Sequence, residues 1–475
     1  MGSQWIILAC IFVPLLGSFL LPVLGRVNAN ARNLSALLFV LVSLICSVLA
    51  LHPALTGQPL RVWLELPQGL SLGFLGDGMA VLAALTFSLT AAVIIFYSFG
   101  YIDRYDNLNE YYFMVVLFMG AVMGTVFSTN LILIYAFWEI TSVCCWRLLG
   151  FDRSENSVRR AGKAWLVNAC GSLLMLVGFI SVYMQLGTFN LLDMQGRGVD
   201  NWLMALMLCG ILAKSAILPL HAWLPSSSDA PAPVSALIGG SVMINLGVYI
   251  YARLFLAGFQ LEPVWTTVTP AIAAVSALVA AGAALRATDI KRIIAYSAVC
   301  QTSFILMGVS CGSMTGAAGG LISILMNALA TGGLFLCAGM VERSTGVRDI
   351  SELGGLAKNM PLTAAAFGLC ALSLMGLPPF GGFFAKYMLI AGAVQSGQNW
   401  LALLFALAAL MTVVYLLRIF TRVFFGPLVN HEATEGSWEM VISMLVLGGL
   451  TLIAGLFINV PSDVAVYVAE SLGRW

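Results

Sequence analysis

Runs of about 20 mostly apolar residues, the length that spans a bilayer as a helix, recur from one end of the chain to the other. Hydrophobic residues make up 60% of the 475 residues and charged residues 9%, which leaves too little polar surface for a water-soluble protein. The hydrocarbon core offers no water to satisfy backbone groups, so each run is expected to be a helix. The chain is therefore predicted to be an all-α polytopic membrane protein.

Fourteen transmembrane helices are expected from these runs. Their predicted bounds are residues 5–25, 32–51, 76–99, 111–128, 130–150, 162–186, 201–221, 233–257, 265–286, 290–311, 314–341, 361–395, 399–426 and 437–460.

Two lysines lie inside these apolar runs, Lys214 in the seventh and Lys386 in the twelfth. A charge at the centre of a bilayer costs about 3 kcal/mol on insertion scales, so a lysine there normally faces the interior of a helix bundle. Such a residue commonly marks a route for protons or ions. The two lysines therefore point to ion transport.

Helix-breaking residues lie close to both lysines. Pro219 follows Lys214, and a stretch from Gly376 to Gly382 that contains Pro378 and Pro379 precedes Lys386. Proline removes a helical hydrogen bond, so helices 7 and 12 are predicted to be broken. Breaks at corresponding places in two halves of a transporter suggest inverted repeats, although packing kinks without a transport role are the alternative.

The predicted organisation is a single membrane domain over residues 1–475 with two inverted five-helix repeats. Residues 1–110 hold helices 1–3, 111–257 the first repeat (helices 4–8), 258–427 the second repeat (helices 9–13) and 428–475 helix 14.

Glu139 lies in an apolar helix that has no other carboxylate. A buried carboxylate needs a partner, and Lys214 is the expected one. A nearby carboxylate favours the charged form of a lysine, so a movement of Glu139 would load or empty the Lys214 amine. A static ion pair that only fixes helix packing is the alternative.

Several other polar residues in or beside the apolar runs also have expected roles. His221, just after the break in helix 7, is expected either to relay protons or to cap freed carbonyl groups. Arg147 is expected to reach the membrane interface from the end of its helix. Asp289 is expected to favour the start of helix 10, and Lys291 and Arg292 to lie at the cytoplasmic surface.

The positive residues are distributed unevenly between the two sides of the membrane. Most of them flank the loops that follow odd-numbered helices, whereas the other side holds Arg61, Arg197, Arg253 and Arg474. Loops rich in Lys and Arg stay cytoplasmic, so both termini are predicted to be non-cytoplasmic. The first apolar run lacks a basic leading region and is expected to remain as a helix rather than act as a signal peptide.

No cofactor, metal ion or nucleic acid is expected to bind this chain. The ten cysteines lie in apolar runs without a C-x-x-C pair, which does not suit a zinc or iron–sulfur site. No G-x-x-x-x-G-K-[ST] loop is present, and the net charge of +1 gives no basic surface for nucleic acid.

Four stretches carry a family resemblance: NLILIYAFWEITS, KSAILPLHAWLPSSSDAPAPVSALI, TDIKRIIAYSAVCQTSFILMGV and GGLAKNMPLTAAAFGLCALSLMGLPPFGGFFAKYMLI. Together they resemble the large antiporter-like membrane subunits shared by respiratory complex I, membrane-bound hydrogenases and Mrp-type sodium/proton antiporters. The resemblance implies a fourteen-helix bundle with two inverted repeats. It makes Glu139 and Lys214 the charge pair of the first half-channel and Lys386 the lysine of the second.

The sequence departs from this family along the expected central axis. The family usually has histidine at Gly239 and a titratable or hydroxyl residue near Asn245, and commonly histidine and lysine where Ser323, Asn327 and Thr331 stand. Neutral polar groups support a chain of water molecules but do not store a proton at pH 7. Either water carries protons between the two lysines, or the chain conducts poorly and transmits a conformational or electrostatic signal.

The leading functional hypothesis is a proton-translocating subunit of a redox-driven pump related to complex I, with quinone, ferredoxin or hydrogen chemistry on other chains. The expected partners are neighbouring antiporter-like subunits, other membrane subunits, peripheral redox subunits and the lipid of a bacterial or archaeal cytoplasmic membrane. The end of the chain soon after helix 14 favours a middle-sized subunit between two neighbours. The alternatives are a Mrp-type Na⁺/H⁺ antiporter subunit, a membrane subunit of an inorganic-carbon uptake system, and a non-conducting spacer.

Overall fold

The computed structural model describes residues 4–66 and 70–472, and almost all of its regular structure is helical. Twelve helices in these residues are long and apolar enough to cross a membrane. Two shorter apolar helices, Asn201–Lys214 and Pro361–Met375, lie where broken helices were predicted. The chain is therefore an integral membrane protein of the predicted fold class, while the count of fourteen continuous spans is not confirmed.

The helices follow one another with short connections. They are α1 (Gln4–Gly17), α2 (Leu21–Val27), α3 (Ala29–Leu55), α4 (Gly78–Tyr101), α5 (Leu108–Phe127), α6 (Leu131–Leu149), α7 (Glu155–Leu186), α8 (Asn201–Lys214), α9 (Trp223–Ser226), α10 (Ala232–Ser235), α11 (Met243–Tyr251), α12 (Trp265–Arg286), α13 (Ile290–Ser310), α14 (Met314–Thr345), α15 (Pro361–Met375), α16 (Gly381–Gln395), α17 (Asn399–Phe424), α18 (Trp438–Leu456) and α19 (Asn459–Ser471). Short 3₁₀ turns occupy Ser18–Leu20, Ile102–Arg104 and Leu356–Lys358, and π-helical turns occupy Ala236–Ser241 and Ala252–Leu256.

A β-hairpin between α3 and α4 was not predicted. Strands β1 (Leu60–Leu66) and β2 (Leu70–Gly76) pair antiparallel, with Leu60 opposite Gly76 and Leu66 opposite Leu70. The alternation of apolar and polar residues in LRVWLEL is the local signal for it. No helix was predicted between residues 52 and 75, so the hairpin adds an element to the predicted helical fold without replacing a helix.

The predicted interruptions of helices 7 and 12 are confirmed. Helix α8 ends at Lys214, and residues 215–222 are irregular before the short helix α9 begins at Trp223. Helix α15 ends in Gly376, whose φ of 77° is a left-handed conformation that glycine adopts without steric cost. Both breaks leave backbone groups without helical partners.

The predicted eighth helix, residues 233–257, is less regular than expected. Helices α10 and α11 are separated by one π-helical turn, and a second π-helical turn follows α11. Such turns widen the helix locally and are frequent at functional sites. This segment, α13 and α14 are the most deeply buried spans of the described chain.

A glycine contact brings two of these central helices together. A Cβ atom added to Gly240 would lie 3.0 Å from the backbone nitrogen of Gly332 in α14. The absence of side chains at this crossing lets the backbones approach closely, as is common between membrane helices. This close approach places the polar side chains of α11 next to those of α14.

The connecting segments separate into two faces of the bundle. The hairpin joins the end of α5 through a bridge between Phe74 and Ser128, and Asn130 pairs with Asn190 in the loop after α7. On the opposite face, Asp289 pairs with Asp349. A Cβ atom at Gly76 would lie 3.1 Å from Ile7 near the start of the described chain, so the N-terminal helix begins on the hairpin face.

Cysteine labelling tests the predicted orientation of these faces. Arg159→Cys and Lys358→Cys, at exposed positions, should react with an impermeant maleimide only from the cytoplasm. Arg61→Cys and Arg197→Cys should react only from the other side, whereas Arg474 lies outside the described residues. A Cys170→Ser background removes the most exposed natural cysteine. The reverse pattern would overturn the orientation deduced from the positive residues.

Candidate functional site

Lys214 is fully buried at the C-terminal end of α8. Its Nζ donates to the Trp138 carbonyl oxygen at 2.9 Å and to the Ser142 hydroxyl at 2.7 Å, and it lies 4.6 Å from the centre of the Trp138 ring. All of these partners lie on α6 and are neutral. The amine is therefore held by dipoles and an aromatic face rather than by a counter-ion.

Glu139 does not form the predicted ion pair with Lys214. In the described residues no ion pair within 4.0 Å includes Glu139, and its Oε1 is buried without a hydrogen-bond partner. Glu139 and Ser142 are three residues apart on α6 and therefore lie on the same side of that helix, but the carboxylate does not come within 4.0 Å of the Lys214 amine.

Lys386 lies in the first turns of α16, just after the break. Its Nζ donates to the Leu374 carbonyl oxygen at 2.5 Å and lies 5.0 Å from the centre of the Phe304 ring. Leu374 is in the last turn of α15, where the break leaves carbonyl groups without helical donors. Like Lys214, this buried amine has neutral partners, and no ion pair within 4.0 Å involves it in the described chain.

A small cavity of about 20 Å³ adjoins Lys386. Its polar lining comes from Gln301, Ser323, Asn327, Ser373 and Lys386. Gln301 Nε2 and Ser373 Oγ are buried without hydrogen-bond partners. A cavity of about 10–15 Å³ holds one water molecule when polar partners surround it, so this space suits a water beside the lysine.

The neutral residues predicted for the central axis form a connected cluster. Asn327 Nδ2 donates to Asn245 Oδ1 at 3.0 Å, and Thr331 Oγ1 donates to Asn327 Oδ1 at 2.6 Å. Asn245 Nδ2 in turn donates to the Ser241 carbonyl oxygen at 2.8 Å. Ser323 donates to the Gly319 carbonyl within α14 and meets Asn327 only at the cavity.

Two other positions on or near the predicted relay have different surroundings. His221 is half-buried in the irregular segment after α8, and its Nδ1 is buried without a hydrogen-bond partner. A Cβ atom at Gly239 would lie 2.9 Å from Leu224, so a larger residue there needs a rearrangement of its neighbour. The structure does not join either residue to the Asn245–Asn327 cluster by a hydrogen bond that it describes.

Lys291 is a buried charge, whereas the sequence predicted it at the cytoplasmic surface. Asp289 caps α13 as expected, accepting from the Arg292 amide at 2.9 Å. Lys291, however, is 1% exposed rather than at the surface, and its Nζ lies 2.6 Å from Glu342 Oε2. It also donates to the Ala230 carbonyl oxygen at 2.9 Å. The sequence signal for this pair was the Glu342 carboxylate, which lies near the end of α14.

The Lys291–Glu342 pair belongs to a network that holds the segment after α9. Glu342 Oε1 accepts from Arg348 Nε at 2.6 Å. Arg348 and Arg160 both pair with Asp229, the neighbour of Ala230. Residues 229–230 are thereby fixed to α7, α13 and α14.

Arg147, which was expected to reach the membrane interface, instead forms an ion pair with Glu110.

No metal site is evident in the residues that the structure describes. No group of three or more His, Cys, Asp or Glu side chains lies close enough to hold a metal ion there. The absence of a cofactor remains a prediction.

Removal of the Lys291 charge tests the network. Lys291→Met should lower the free energy of unfolding by about 3–5 kcal/mol, because Glu342 loses a buried partner. The thermal midpoint of the detergent-solubilised protein measures this loss. Lys358→Met, at an exposed position, is the control and should change the thermal midpoint little.

A double variant, Lys291→Met with Glu342→Gln, should recover part of the lost stability. Equal midpoints for Lys291→Met and the control would show that the pair is not stabilising.

Known proteins resemble this chain in sequence and in fold. Residues 128–412 match the family model described as NADH:quinone oxidoreductase/Mrp antiporter, transmembrane. One Na⁺/H⁺ antiporter subunit of Alkalihalophilus pseudofirmus is 31% identical over 437 residues, which cover 82% of this chain and 53% of that protein. Its counterpart in Staphylococcus haemolyticus, also a Na⁺/H⁺ antiporter subunit, is 29% identical, with the same coverage of 82% and 53%. The chain thus spans about half the length of these curated relatives.

Solved structures share the fold over nearly the whole chain. A chain of the Mrp complex from Dietzia sp. superposes with a TM-score of 0.90 at 22% identity, covering 99% of this chain and 98% of that one. A chain of respiratory complex I from Thermus thermophilus gives 0.87 at 24% identity, covering 99% of each. At these identities the likeness concerns the fold alone. The family match over more than half of the sequence decides membership: this chain belongs to the NADH:quinone oxidoreductase/Mrp antiporter transmembrane family.

Proposed function

We propose that this chain is a proton-translocating, antiporter-like membrane subunit in which Lys214 and Lys386 are the sites that load and release protons. The observation that carries the proposal is the neutral surroundings of both buried amines. A paired ammonium resists deprotonation, whereas an ammonium held only by carbonyl, hydroxyl and aromatic groups is less strongly stabilised in its charged form. Each lysine is therefore suited to change its charge during a transport cycle.

The path between the lysines runs through the amide cluster. Asn245, Asn327 and Thr331 form a row of hydrogen bonds, and Asn327 also lines the cavity beside Lys386. Because amides and hydroxyls do not store a proton, water in this row must carry it. Ser323 contributes to the wall of the cavity, and His221 is retained as a candidate relay on the Lys214 side.

Glu139 enters this proposal as a charge that acts through space. Its Oε1 forms no hydrogen bond in the described residues, and we propose that the carboxylate moves towards and away from Lys214. A change in that separation alters the stability of the ammonium without a direct ion pair. The half-channels correspond to the predicted repeats, residues 111–257 and 258–427, each of which contains one broken helix and one of the two lysines.

The sequence relatives favour sodium/proton antiport over a redox-driven pump. Those reported above are Na⁺/H⁺ antiporter subunits, whereas the complex I likeness is one of fold. The proposed partners are the other membrane subunits of an antiporter complex, including neighbouring antiporter-like chains. Peripheral redox subunits and a cofactor on this chain are not required. Both termini are proposed to be non-cytoplasmic.

The function is tested by Lys214→Met in the assembled complex. In inverted membrane vesicles with a preformed pH gradient, Na⁺ should release the gradient in the wild type without an electron donor. Lys214→Met should lower this Na⁺-dependent proton flux at least tenfold because it removes a proton-binding site. Lys358→Met is the matched control.

Two results would count against the proposal. Wild-type flux in a correctly assembled Lys214→Met complex would remove Lys214 from the mechanism. A flux that requires an electron donor and ignores Na⁺ would favour the redox-driven alternative.

A further inference from the structure

A polar cavity of about 550 Å³ lies on the hairpin face, away from both lysines. Its polar lining includes Arg61, Asp77, Thr129, Gln195 and Arg253. At about 30 Å³ per water molecule, a space of this size holds many waters. It is thus large enough to bring solvent to the side chains at its floor.

Arg253, which is buried, pairs at this cavity with the partly exposed Asp77. Arg253 is 5% exposed, and its Nη1 and Nη2 lie 2.5 Å and 3.0 Å from the two oxygens of Asp77. Asp77 is fixed further because its Oδ1 accepts from the Ala80 amide at the start of α4. The bidentate geometry orients the guanidinium as well as neutralising it.

Two polar atoms at the cavity have no protein partner in the described residues. They are the Nε of Arg253 and the Oγ1 of Thr129, which is 2% exposed. Buried polar groups of this kind are usually satisfied by ordered water.

A polar row connects this cavity with the central amide cluster. Ser241, Asn245, Tyr249 and Arg253 recur every four residues along α11 and its flanking π turns, and all are buried. Residues four apart share one face of a helix. Tyr249 donates to the Val126 carbonyl oxygen at 2.7 Å, and the Arg253 guanidinium lies 5.8 Å from its ring centre. The row ends at the Asp77 carboxylate.

We propose that this cavity is the aqueous mouth of the proton path on the hairpin face, with Asp77 and Arg253 as positioning residues at its inner end. The inference rests on the proposed function and adds to it a place where protons enter or leave the membrane domain. The fixed carboxylate–guanidinium pair organises water between the cavity and Tyr249. No bond is made or broken other than proton transfer along water.

The first test measures water access through the labelling reaction itself, and proton flux is its second readout. Thr129→Cys in the assembled complex should react with 2-(trimethylammonium)ethyl methanethiosulfonate from the hairpin face, and the reaction should lower Na⁺-dependent proton flux at least tenfold. Arg197→Cys, an exposed position on the same face, should react without loss of flux. Failure of Thr129→Cys to react in an assembled complex would show a dry cavity and overturn the proposal.

The second test removes the carboxylate charge while keeping the helix start. Asparagine also caps helices, so Asp77→Asn should fold and assemble but lower proton flux at least tenfold. Asp200→Asn, exposed at the start of α8, is the control. Unchanged flux in Asp77→Asn, with flux abolished by Lys214→Met, would reject this mouth and leave the proposed function standing. Unchanged flux in both variants would reject the two together.

Discussion

The structure depends on two buried lysines whose hydrogen-bond partners are neutral. Lys214 is held by the Trp138 carbonyl and the Ser142 hydroxyl, and Lys386 by the Leu374 carbonyl. An ammonium in an apolar interior is costly unless it is compensated, and dipoles compensate it less strongly than a carboxylate does. In the proposed function, this weaker compensation is what lets each lysine gain and lose its proton.

The broken helices and the glycine crossing supply the geometry for this balance. The end of α15 offers Lys386 a carbonyl that an unbroken helix would have used internally. The contact of Gly240 with Gly332 brings Asn245 and Asn327 within hydrogen-bond distance. Backbone irregularity at membrane depth is tolerated where protein or water lines it, and the π-helical turns beside α11 lie in the most buried span of the described chain.

Much of the fold and the main candidate residues followed from the sequence. Proline and glycine next to Lys214 and Lys386 predicted the two breaks, because the loss of helical hydrogen bonding there is local chemistry. Side-chain direction was harder to predict. Glu139 was expected to pair with Lys214 because both are charged residues in apolar helices, but the lysine amine bonds neutral groups of α6 instead. Lys291 looked like an interface residue because its buried partner, Glu342, is about fifty positions away.

The hairpin and the cavity it helps to form were not predicted for a related reason. The strands occupy a short stretch between long apolar runs, where membrane-spanning periodicity gives no signal. The cavity needs contributions from five separate segments of the chain, so only the tertiary structure assembles it. The polar row of α11 was visible in the sequence only as isolated residues in an apolar helix.

The most direct measurement of the central claim is proton flux in an Asn245→Leu complex. Leucine removes the amide that bonds Asn327 and fills space that water needs, while α11 remains apolar. Asn168→Leu, a buried asparagine on α7 outside the cluster, is the matched control. The account predicts at least a tenfold loss of Na⁺-dependent flux for Asn245→Leu in an assembled complex and little change for the control. Unchanged flux in Asn245→Leu would contradict a conducting axis between the lysines and favour the spacer alternative.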